Sequence, residues 1–554
     1  MIGFHNKHKS FIYIAIIFAI LAIYLIPLGS HALIEPDEGR YSEIPREMIE
    51  SGDFITPKLN YIKYFEKPVL HYWMNAISFM LFGQNEFAAR LFTASCAILG
   101  IIATGALGSF IFGGASGLLS AIITAFSLLY FAIGTINITD MPLSFFITMA
   151  LVSFYFAHIG ENKKWYLLFY ASMALGVLTK GLVAIILPGG VIFCYILITR
   201  KWKLFIEALY IPGIILFFLI SVPWFWLVCK ENPDFFHFFF IQEHFLRYAT
   251  KMHGRYEPFW FFIPMIPAGL MPWTGFLFSL FSKKSILFSP ANKKTKDSNI
   301  FLLAWFGVIL LFYSLSSSKL IPYIVPCIPP LAILIAADIS RMVENKRWHG
   351  HALLWTSGIA LFFSTAFLAY AFFGDRVPSE NTLPIAIKTS LGLLIGPFLA
   401  LLLSHPKIKN FKAAVTALTL SSLIFIYSLL GVYAIIGETR STKALSEVII
   451  KEIQPEEIIV SYGEVLQGLP FYTKQRVMLV DYFGELEFGG KQKEGDGWFL
   501  TKEEFLPEWI NKTRSFILVV EKKRMNLLFP DGNTRETKRI EIGDFIVIFN
   551  RRTK

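Results

Sequence analysis

Long apolar stretches recur along most of the chain and are separated by short polar connections. A helix that crosses the hydrocarbon core of a bilayer needs about 20 mainly apolar residues, and about thirteen stretches come near that length. They lack the alternation of a membrane β-barrel, so the spans are predicted to be helical. The predicted spans are 11–30, 86–112, 117–136, 141–159, 165–179, 182–199, 205–229, 258–281, 300–316, 320–338, 352–373, 384–404 and 413–436.

The basic residues of the connections predict an orientation. Cytoplasmic loops carry an excess of Lys and Arg. With the N-terminus in the cytoplasm, the connections predicted to be cytoplasmic include five that are basic: 160–164, 200–204, 282–299, 339–351 and 405–412. An odd number of spans then places everything after residue 437 outside.

The composition agrees with a polytopic membrane protein. Of 554 residues, 55% are hydrophobic and only 16% are charged, against roughly a quarter charged in soluble domains. These proportions exclude a soluble enzyme, a disordered protein and a disulfide-stapled secreted scaffold. The net charge of +11 is explained by the basic connections and predicts no nucleic-acid partner.

The C-terminal region 437–554 differs from the rest because its charges balance and its apolar runs shorten. The pattern predicts helices at 441–452 and 501–512 and strands at 456–461, 476–481, 515–521 and 541–549. Such alternation is typical of a small α/β domain. The predicted division is a membrane domain over 1–436, including a first outer loop over 31–85, and an outer domain over 437–554.

Two other outer segments carry charge. Segment 230–257 mixes aromatic and charged residues, which favours a helix lying in the membrane interface. The first outer loop holds many acidic and basic residues, most of which are expected to be ordinary surface charges. Asp37 and Glu38 are exceptions, because they follow the first span at headgroup level, where a carboxylate needs a partner or a function.

The first loop has the residue types needed to transfer a lipid-linked sugar. Arg40 and Lys67 could bind a phosphate, and Asp37 could stabilise the positive charge that develops on a sugar during transfer. A site for lipid-borne substrates must also lie at the membrane surface, where the topology places these residues.

The stretch PDEGRYSEIPREM…SGDF…YFEKPVLHYW resembles the 4-amino-4-deoxy-L-arabinose–lipid A transferases, within the protein-mannosyltransferase-like, polyprenyl-phosphate-dependent C-type glycosyltransferases. The resemblance implies a bacterial inner-membrane enzyme that transfers a sugar from undecaprenyl phosphate to a lipid A phosphate on the periplasmic side. It implies the glycosyltransferase fold of that superfamily for the membrane domain. Weaker similarities surround Lys180, His244 and the stretch from Ser318 to Tyr323.

The resemblance assigns roles residue by residue. Asp37 matches the catalytic acidic position, Glu38 its neighbour, and Asp140 a second acidic position. Lys67 matches the lysine that holds the donor phosphate. The remaining matches near the cavity are Arg40, Tyr41, Tyr64 and Glu66.

Other residues are candidates from their position in the predicted topology. Asp140 begins a span at its outer end, where helix capping and catalysis are compatible and both remain open. Lys180 and Lys319 are outer cations that could snorkel or bind phosphate, and Tyr323 is grouped with Lys319 at the donor phosphate. Headgroup or acceptor contacts are expected from His244, Arg247, His253 and Arg255.

A phosphate acceptor is largely a dianion at neutral pH, so it needs no strong general base, and attack opposite the leaving group predicts inversion. A protein hydroxyl acceptor would instead need Asp37 as a base, which keeps a protein O-glycosyltransferase as an alternative. A transporter or flippase for lipid-linked sugars is an alternative from another class. No cofactor is required, and a divalent metal remains possible.

Overall fold

The computed structural model describes residues 2–246, 257–373, 379–482, 484–532, 534 and 536–551. The chain forms two compact units. The helical unit contains Met1–Leu28, Phe92–Trp226 and Phe236–Val432, and the mixed unit contains Gly29–Leu91, Leu227–Phe235 and Tyr433–Lys554.

Helices long and apolar enough to cross a membrane dominate the chain. In the described residues there are eight, or nine if a pair bent by 63° counts as one span. The eight are Glu86–Phe112, Asp140–Ile159, Ile211–Glu231, Lys293–Leu315, Ile321–Glu344, Ala352–Phe373, Thr382–Leu403 and Phe411–Thr439, and the bent pair is Gly114–Ala125 with Leu128–Gly134. The polytopic helical architecture is thus confirmed, while the count of thirteen is not established.

Several predicted spans correspond to shorter or additional helices. They are Ile2–Leu25, Trp165–Lys180, Val183–Thr199, Lys203–Ala208 and a helix with π-type hydrogen bonding at His237–Leu246. The predicted continuous span 258–281 is wrong, because the structure has two short helices there, Phe262–Gly269 and Thr274–Ser279. Pro272 lies between them, and proline has no backbone N–H with which to continue a helix.

The first loop is itself folded within the mixed unit. It contains a loop helix, Asp37–Ser51, and a second helix, Leu70–Phe82. Between them, β1 (Lys58–Leu59) and β2 (Ile62–Lys63) form a short antiparallel hairpin. The loop helix ends at Gly52, whose φ of 70° is the left-handed conformation that glycine adopts readily.

The C-terminal part of the mixed unit is built on a six-stranded sheet. Its strands are β3 (Ile458–Tyr462), β4 (Val477–Val480), β5 (Phe499–Leu500), β6 (Phe516–Glu521), β7 (Lys538–Ile542) and β8 (Phe545–Asn550), in the order β5-β4-β3-β6-β8-β7. Strands β3 to β6 are parallel, while β8 pairs antiparallel with both β6 and β7.

Helices Lys443–Glu452, Gly468–Thr473 and Lys502–Asn511 accompany this sheet. The predicted α/β domain is therefore confirmed as a fold. One detail is wrong: the predicted strand 541–549 is a hairpin of β7 and β8, which turns at Gly543 with a φ of 55°.

Within the mixed unit, the first loop packs on C-terminal residues. The partly buried Glu35 carboxylate accepts hydrogen bonds from the backbone N–H groups of Gly468 (2.6 Å) and Gln467 (3.0 Å). Gly39 of the loop helix lies so close to Gly468 that a Cβ at position 39 would overlap the Gly468 backbone nitrogen. Contacts thus group segment 29–91 with the C-terminal region, although the predicted division joined loop 31–85 to the membrane helices.

Candidate active site

Asp37 is the first residue of the loop helix, and its carboxylate is half exposed. Its side chain is 50% exposed, whereas that of Arg40, one helical turn later, is 5% exposed. The two form an ion pair, as the i, i+3 spacing on a helix allows. The arrangement presents an accessible carboxylate beside a fixed, buried positive charge.

Arg40 is held by groups from distant parts of the sequence. Its guanidinium donates to the Tyr64 hydroxyl oxygen (2.8 Å) and pairs with Glu485 in the C-terminal region. Glu485 also accepts a hydrogen bond from the side-chain amide of Gln467. Burial raises the pKa of Tyr64 well above its ordinary value, so its hydroxyl stays neutral. Arg40 therefore has a fixed position between Asp37 and Glu485.

Glu38 faces a different partner. It is buried, and Arg90 donates to both of its carboxylate oxygens, at 2.7 and 2.8 Å. Arg90 also donates to the carbonyl oxygens of His31 and Ala32. Such a bidentate pair restrains both partners. Glu38 thus ties the start of the loop helix to the chain that precedes it.

Lys67 and the aromatic candidates lie near the second loop helix. The Lys67 ammonium donates to the Glu66 carbonyl oxygen (2.9 Å) and lies 3.8 Å from the Glu66 carboxylate. Both side chains are 12% exposed. Tyr41 is buried, with its ring edge-to-face against His71 at 5.4 Å and the Arg40 guanidinium carbon 5.3 Å from its centre.

The other half of the loop helix carries a closed charge network. Arg46 donates to both oxygens of Glu43 and to Glu50, each at 2.6 Å. Glu47 accepts from the Tyr61 backbone N–H at 2.9 Å. Burial, reinforced by the neighbouring Glu43 carboxylate, raises the pKa of Glu47. The expectation that such residues are ordinary surface charges is wrong here, since Glu43, Arg46 and Glu47 are all buried.

Asp140, Lys180 and Tyr323 come together in the helical unit. The Lys180 ammonium lies 2.6 Å from the Asp140 carboxylate and 4.7 Å from the centre of the Tyr323 ring. The Tyr323 ring packs on Tyr313, with centres 5.1 Å apart. Asp140 therefore starts its helix as part of an ion pair under an aromatic side chain.

Lys319 lies four residues before Tyr323 and binds backbone. Its ammonium donates to the carbonyl oxygens of Ser316 (2.6 Å) and Glu257 (2.9 Å). Burial lowers its pKa. These contacts give Lys319 a role in holding the segment that precedes the span Ile321–Glu344.

Most of the residues predicted to contact headgroups lie outside the part of the chain that the structure describes. His244 lies in the helix His237–Leu246. Arg247, His253 and Arg255 lie outside the described residues, so their assignments stay predictions. Across the described ranges, which stop at 246 and resume at 257, no group of three or more His, Cys, Asp or Glu side chains could hold a metal ion. Metal dependence stays open.

Sequence reasoning missed Glu485 and Arg90. Glu485 is 445 positions from Arg40, and nothing in its surrounding sequence indicates a partner. Arg90 carries a weak signal, since it is a single arginine in the first turns of a predicted span, where an unpaired charge is costly. That signal would have indicated that Arg90 has a partner, although not which one.

Two family models match the chain. The model described as dolichyl-phosphate-mannose-protein mannosyltransferase matches residues 9–239, and that of the aminoarabinose transferase C-terminal domain matches residues 445–532. With the spanning helices and the accessible Asp37 carboxylate beside the buried Arg40, these matches define a membrane glycosyltransferase that uses a polyprenyl-phosphate-linked sugar.

Relatives that align over most of their length identify the family within this class. Undecaprenyl phosphate-alpha-4-amino-4-deoxy-L-arabinose arabinosyl transferases from Aeromonas hydrophila and Wigglesworthia glossinidia brevipalpis are each 30% identical; the alignments cover 89% and 95% of this chain and 90% and 94% of the relatives. The chain belongs to the 4-amino-4-deoxy-L-arabinose transferase family, as its first loop predicted.

Solved structures confirm the fold. The crystal structure of ArnT from Cupriavidus metallidurans bound to undecaprenyl phosphate has a TM-score of 0.82 at 27% identity and covers 98% of this chain and 99% of that one. The archaeal oligosaccharyltransferase AglB from Archaeoglobus fulgidus has a TM-score of 0.51 at 12% identity, with coverage of 94% and 70%. That second likeness shows only a shared fold.

Proposed function

We propose that this chain transfers 4-amino-4-deoxy-L-arabinose from undecaprenyl phosphate to a phosphate of lipid A. The full-length relatives named as arabinosyl transferases support the donor and the sugar. The observation that carries the site is the half-exposed Asp37 carboxylate, held beside the buried Arg40.

In the proposed reaction, a lipid A phosphate oxygen attacks the anomeric carbon of the sugar. The new oxygen–carbon bond forms as the bond to the donor phosphate breaks, and undecaprenyl phosphate leaves with the bonding electrons. Attack from the face opposite the leaving group inverts the anomeric configuration. Because the acceptor is largely a dianion at neutral pH, no proton needs to be removed from it.

Each side chain of the first loop has a role in this scheme. Asp37 stabilises the positive charge that develops at the anomeric carbon. Lys67 neutralises the departing phosphate. Arg40, fixed by Tyr64 and Glu485, holds Asp37 in place, and Glu38 orients the helix through Arg90 instead of contacting the sugar.

The Asp140–Lys180 pair and Tyr323 form a second polar group in the helical unit. We assign it to the headgroups of the lipid substrates, since paired ionisable residues at the ends of spanning helices commonly mark substrate pathways. Tyr41 and Glu66 complete the first-loop cavity. A divalent metal is not needed by any step.

The test is transfer between purified lipids. The purified chain in detergent is mixed with the undecaprenyl-phosphate-linked sugar and lipid A, and the products are analysed by mass spectrometry. We expect lipid A to gain the mass of one aminoarabinose, and dephosphorylated lipid A to gain none. Sugar appearing on a serine- or threonine-containing peptide instead, or donor moving across vesicles without transfer, would replace this function with one of its alternatives.

The proposed location is the inner membrane, with the first loop and C-terminal region in the periplasm. Single cysteines at Ser51 and Ser282, in a background in which the four native cysteines are replaced, are treated with a membrane-impermeant thiol reagent in intact spheroplasts. Position 51 should react and position 282 should not. The reverse pattern would place the loop helix in the cytoplasm and overturn the proposed site.

A further inference from the structure

A basic cleft lies in the helical unit, and none of the residues that line it belongs to the candidate active site. Its volume is about 540 Å³, and it lies where the connections 345–351 and 404–410 meet residues 282–284. The ionisable side chains that line it are Lys284, Arg347, His349, His351 and His405. None of the described residues that line it is an Asp or a Glu.

The walls of the cleft are fixed by polar and aromatic contacts. The Trp348 indole N–H donates to the Ser404 hydroxyl oxygen at 2.6 Å, which joins the two connections. The same indole packs against Phe276 and Phe411, with ring centres 5.8 and 5.3 Å away. These contacts fix the two connections that form the walls of the cleft.

One buried acid, Asp338, contacts a residue of the cleft, His349, and is hydrogen-bonded elsewhere as well. Asp338 accepts a hydrogen bond from the Ile286 backbone N–H at 2.8 Å and lies 3.0 Å from the ring of His349. Among the described residues, Lys284 and Arg347 have exposed side chains and no ion-pair partner. The positive charge at the mouth of the cleft therefore faces solvent without compensation.

The residues around the cleft indicate which class of ligand fits it. Leu353, Leu354 and Leu401 also line it, and they belong to the first and last turns of the spans Ala352–Phe373 and Thr382–Leu403. The cleft is thus polar at its mouth and apolar where the spans begin. A basic pocket between spanning helices at this level suits the headgroup of an anionic lipid.

The cleft and the Asp140–Lys180–Tyr323 group lie at opposite ends of the span Ile321–Glu344. Tyr323 lies at the start of the span Ile321–Glu344, whereas Arg347 follows its end. At 1.5 Å per residue, that helix of 24 residues is about 36 Å long. The cleft therefore lies on the face of the basic connections, away from Tyr323 and Lys180.

We propose that this cleft binds the phosphate headgroup of an anionic phospholipid, with the leucine side directed towards the acyl chains. Phosphatidylglycerol has the required chemistry, since it has one negative phosphodiester and two acyl chains. The bound lipid would fix the connections 345–351 and 404–410 against one another at the membrane surface.

Native mass spectrometry of the full chain in detergent tests this inference. Phosphatidylglycerol and phosphatidylcholine are added to the wild type and to the double variant Lys284→Gln/Arg347→Gln. The matched control is Lys346→Gln/Lys409→Gln, which removes the same charge from exposed positions of the neighbouring connections that do not line the cleft.

We expect the wild type to prefer phosphatidylglycerol, the cleft variant to bind it about tenfold more weakly, and the control to match the wild type. Arg347→Lys keeps the positive charge and should retain most of the affinity for phosphatidylglycerol. That result would show that the lipid recognises the charge at position 347. Equal losses in the cleft and control variants, or no loss in either, would overturn the proposal. Displacement of the lipid by millimolar inorganic phosphate would also overturn it, because the site would then bind free phosphate.

Discussion

The two ends of the loop helix Asp37–Ser51 use the same residue types for different purposes. At each end an acid pairs with an arginine three residues later, Asp37 with Arg40 and Glu43 with Arg46, and both arginines are nearly buried. Asp37 is 50% exposed, whereas Glu43 is fully buried. A closed pair can only stabilise the fold, while an open pair can also meet a substrate.

The closed end predicts the largest effect on stability. Arg46→Met leaves Glu43 as an unpaired buried charge, and the free energy of unfolding should fall by about 3 to 5 kcal/mol. The double variant Glu43→Leu/Arg46→Met removes both charges and should recover most of the loss. Thermal unfolding in detergent measures both. A single variant as stable as the wild type would show that the network at this end is not closed.

Lys67 should contribute to donor binding. Lys67→Met removes the ammonium assigned to the donor phosphate, and the affinity for undecaprenyl phosphate should fall between about tenfold and a hundredfold. Lys63→Met is the matched control, since Lys63 lies in β2 and is 25% exposed, and its ion-pair contact within the described part of the chain is a distant one to Glu494. Equal affinities for the two variants, measured by native mass spectrometry, would remove Lys67 from the site.

Glu485 is expected to affect turnover by restraining Arg40. Glu485→Gln weakens the partner that restrains the guanidinium, and kcat should fall about tenfold with little change in donor affinity. The nearby exposed Glu487→Gln should have no effect, because Glu487 pairs only with the exposed Lys491 among the described residues. A fall in donor affinity with an unchanged kcat would mean that Glu485 binds substrate directly.

A gradual effect is expected on the pH dependence of stability. Burial raises the pKa of Glu35 from 4.5 to about 7, against the hydrogen bonds from Gly468, Thr442 and Gln467. Since the folded state holds the proton more tightly, the contribution of Glu35 to stability is fully present below pH 4.5 and is lost as the pH rises to about 7, by no more than about 1.4 kcal/mol per unit.

Glu35→Gln cannot titrate, so its unfolding free energy should vary less over that range. Unfolding of both proteins at pH 5, 6 and 7 measures the difference. Identical slopes would show that Glu35 remains ionised in the folded protein.

Hydropathy predicted the spanning helices well because burial in a bilayer requires continuous apolar runs, and Glu86–Phe112 and Ala352–Phe373 begin and end where expected. It failed at 258–281, where Pro272 lies between two short helices. Proline alone does not mark such a break, since Pro188 and Pro223 lie within other helices of this chain. The charges of the loop helix were misjudged for another reason. An acid–arginine network looks the same in sequence whether solvent or protein surrounds it.

The site was predicted in part. Asp37, Arg40 and Tyr64 lie together as the first-loop motif indicated. Glu485 could not be found, because its approach to Arg40 depends on how the C-terminal sheet packs on the loop. The sequence around Arg40 and the sequence around Glu485 give no sign of that contact.

The most direct measurement compares Asp37→Asn with Glu50→Gln, since both carboxylates lie on the loop helix and both are 50% exposed. Turnover and donor affinity are measured for each variant with purified lipids. We expect Asp37→Asn to lower kcat by about a hundredfold or more while still binding donor. We expect Glu50→Gln to retain both the turnover and the donor affinity of the wild type. Unchanged turnover in Asp37→Asn, or an equal loss in the two variants, would contradict it.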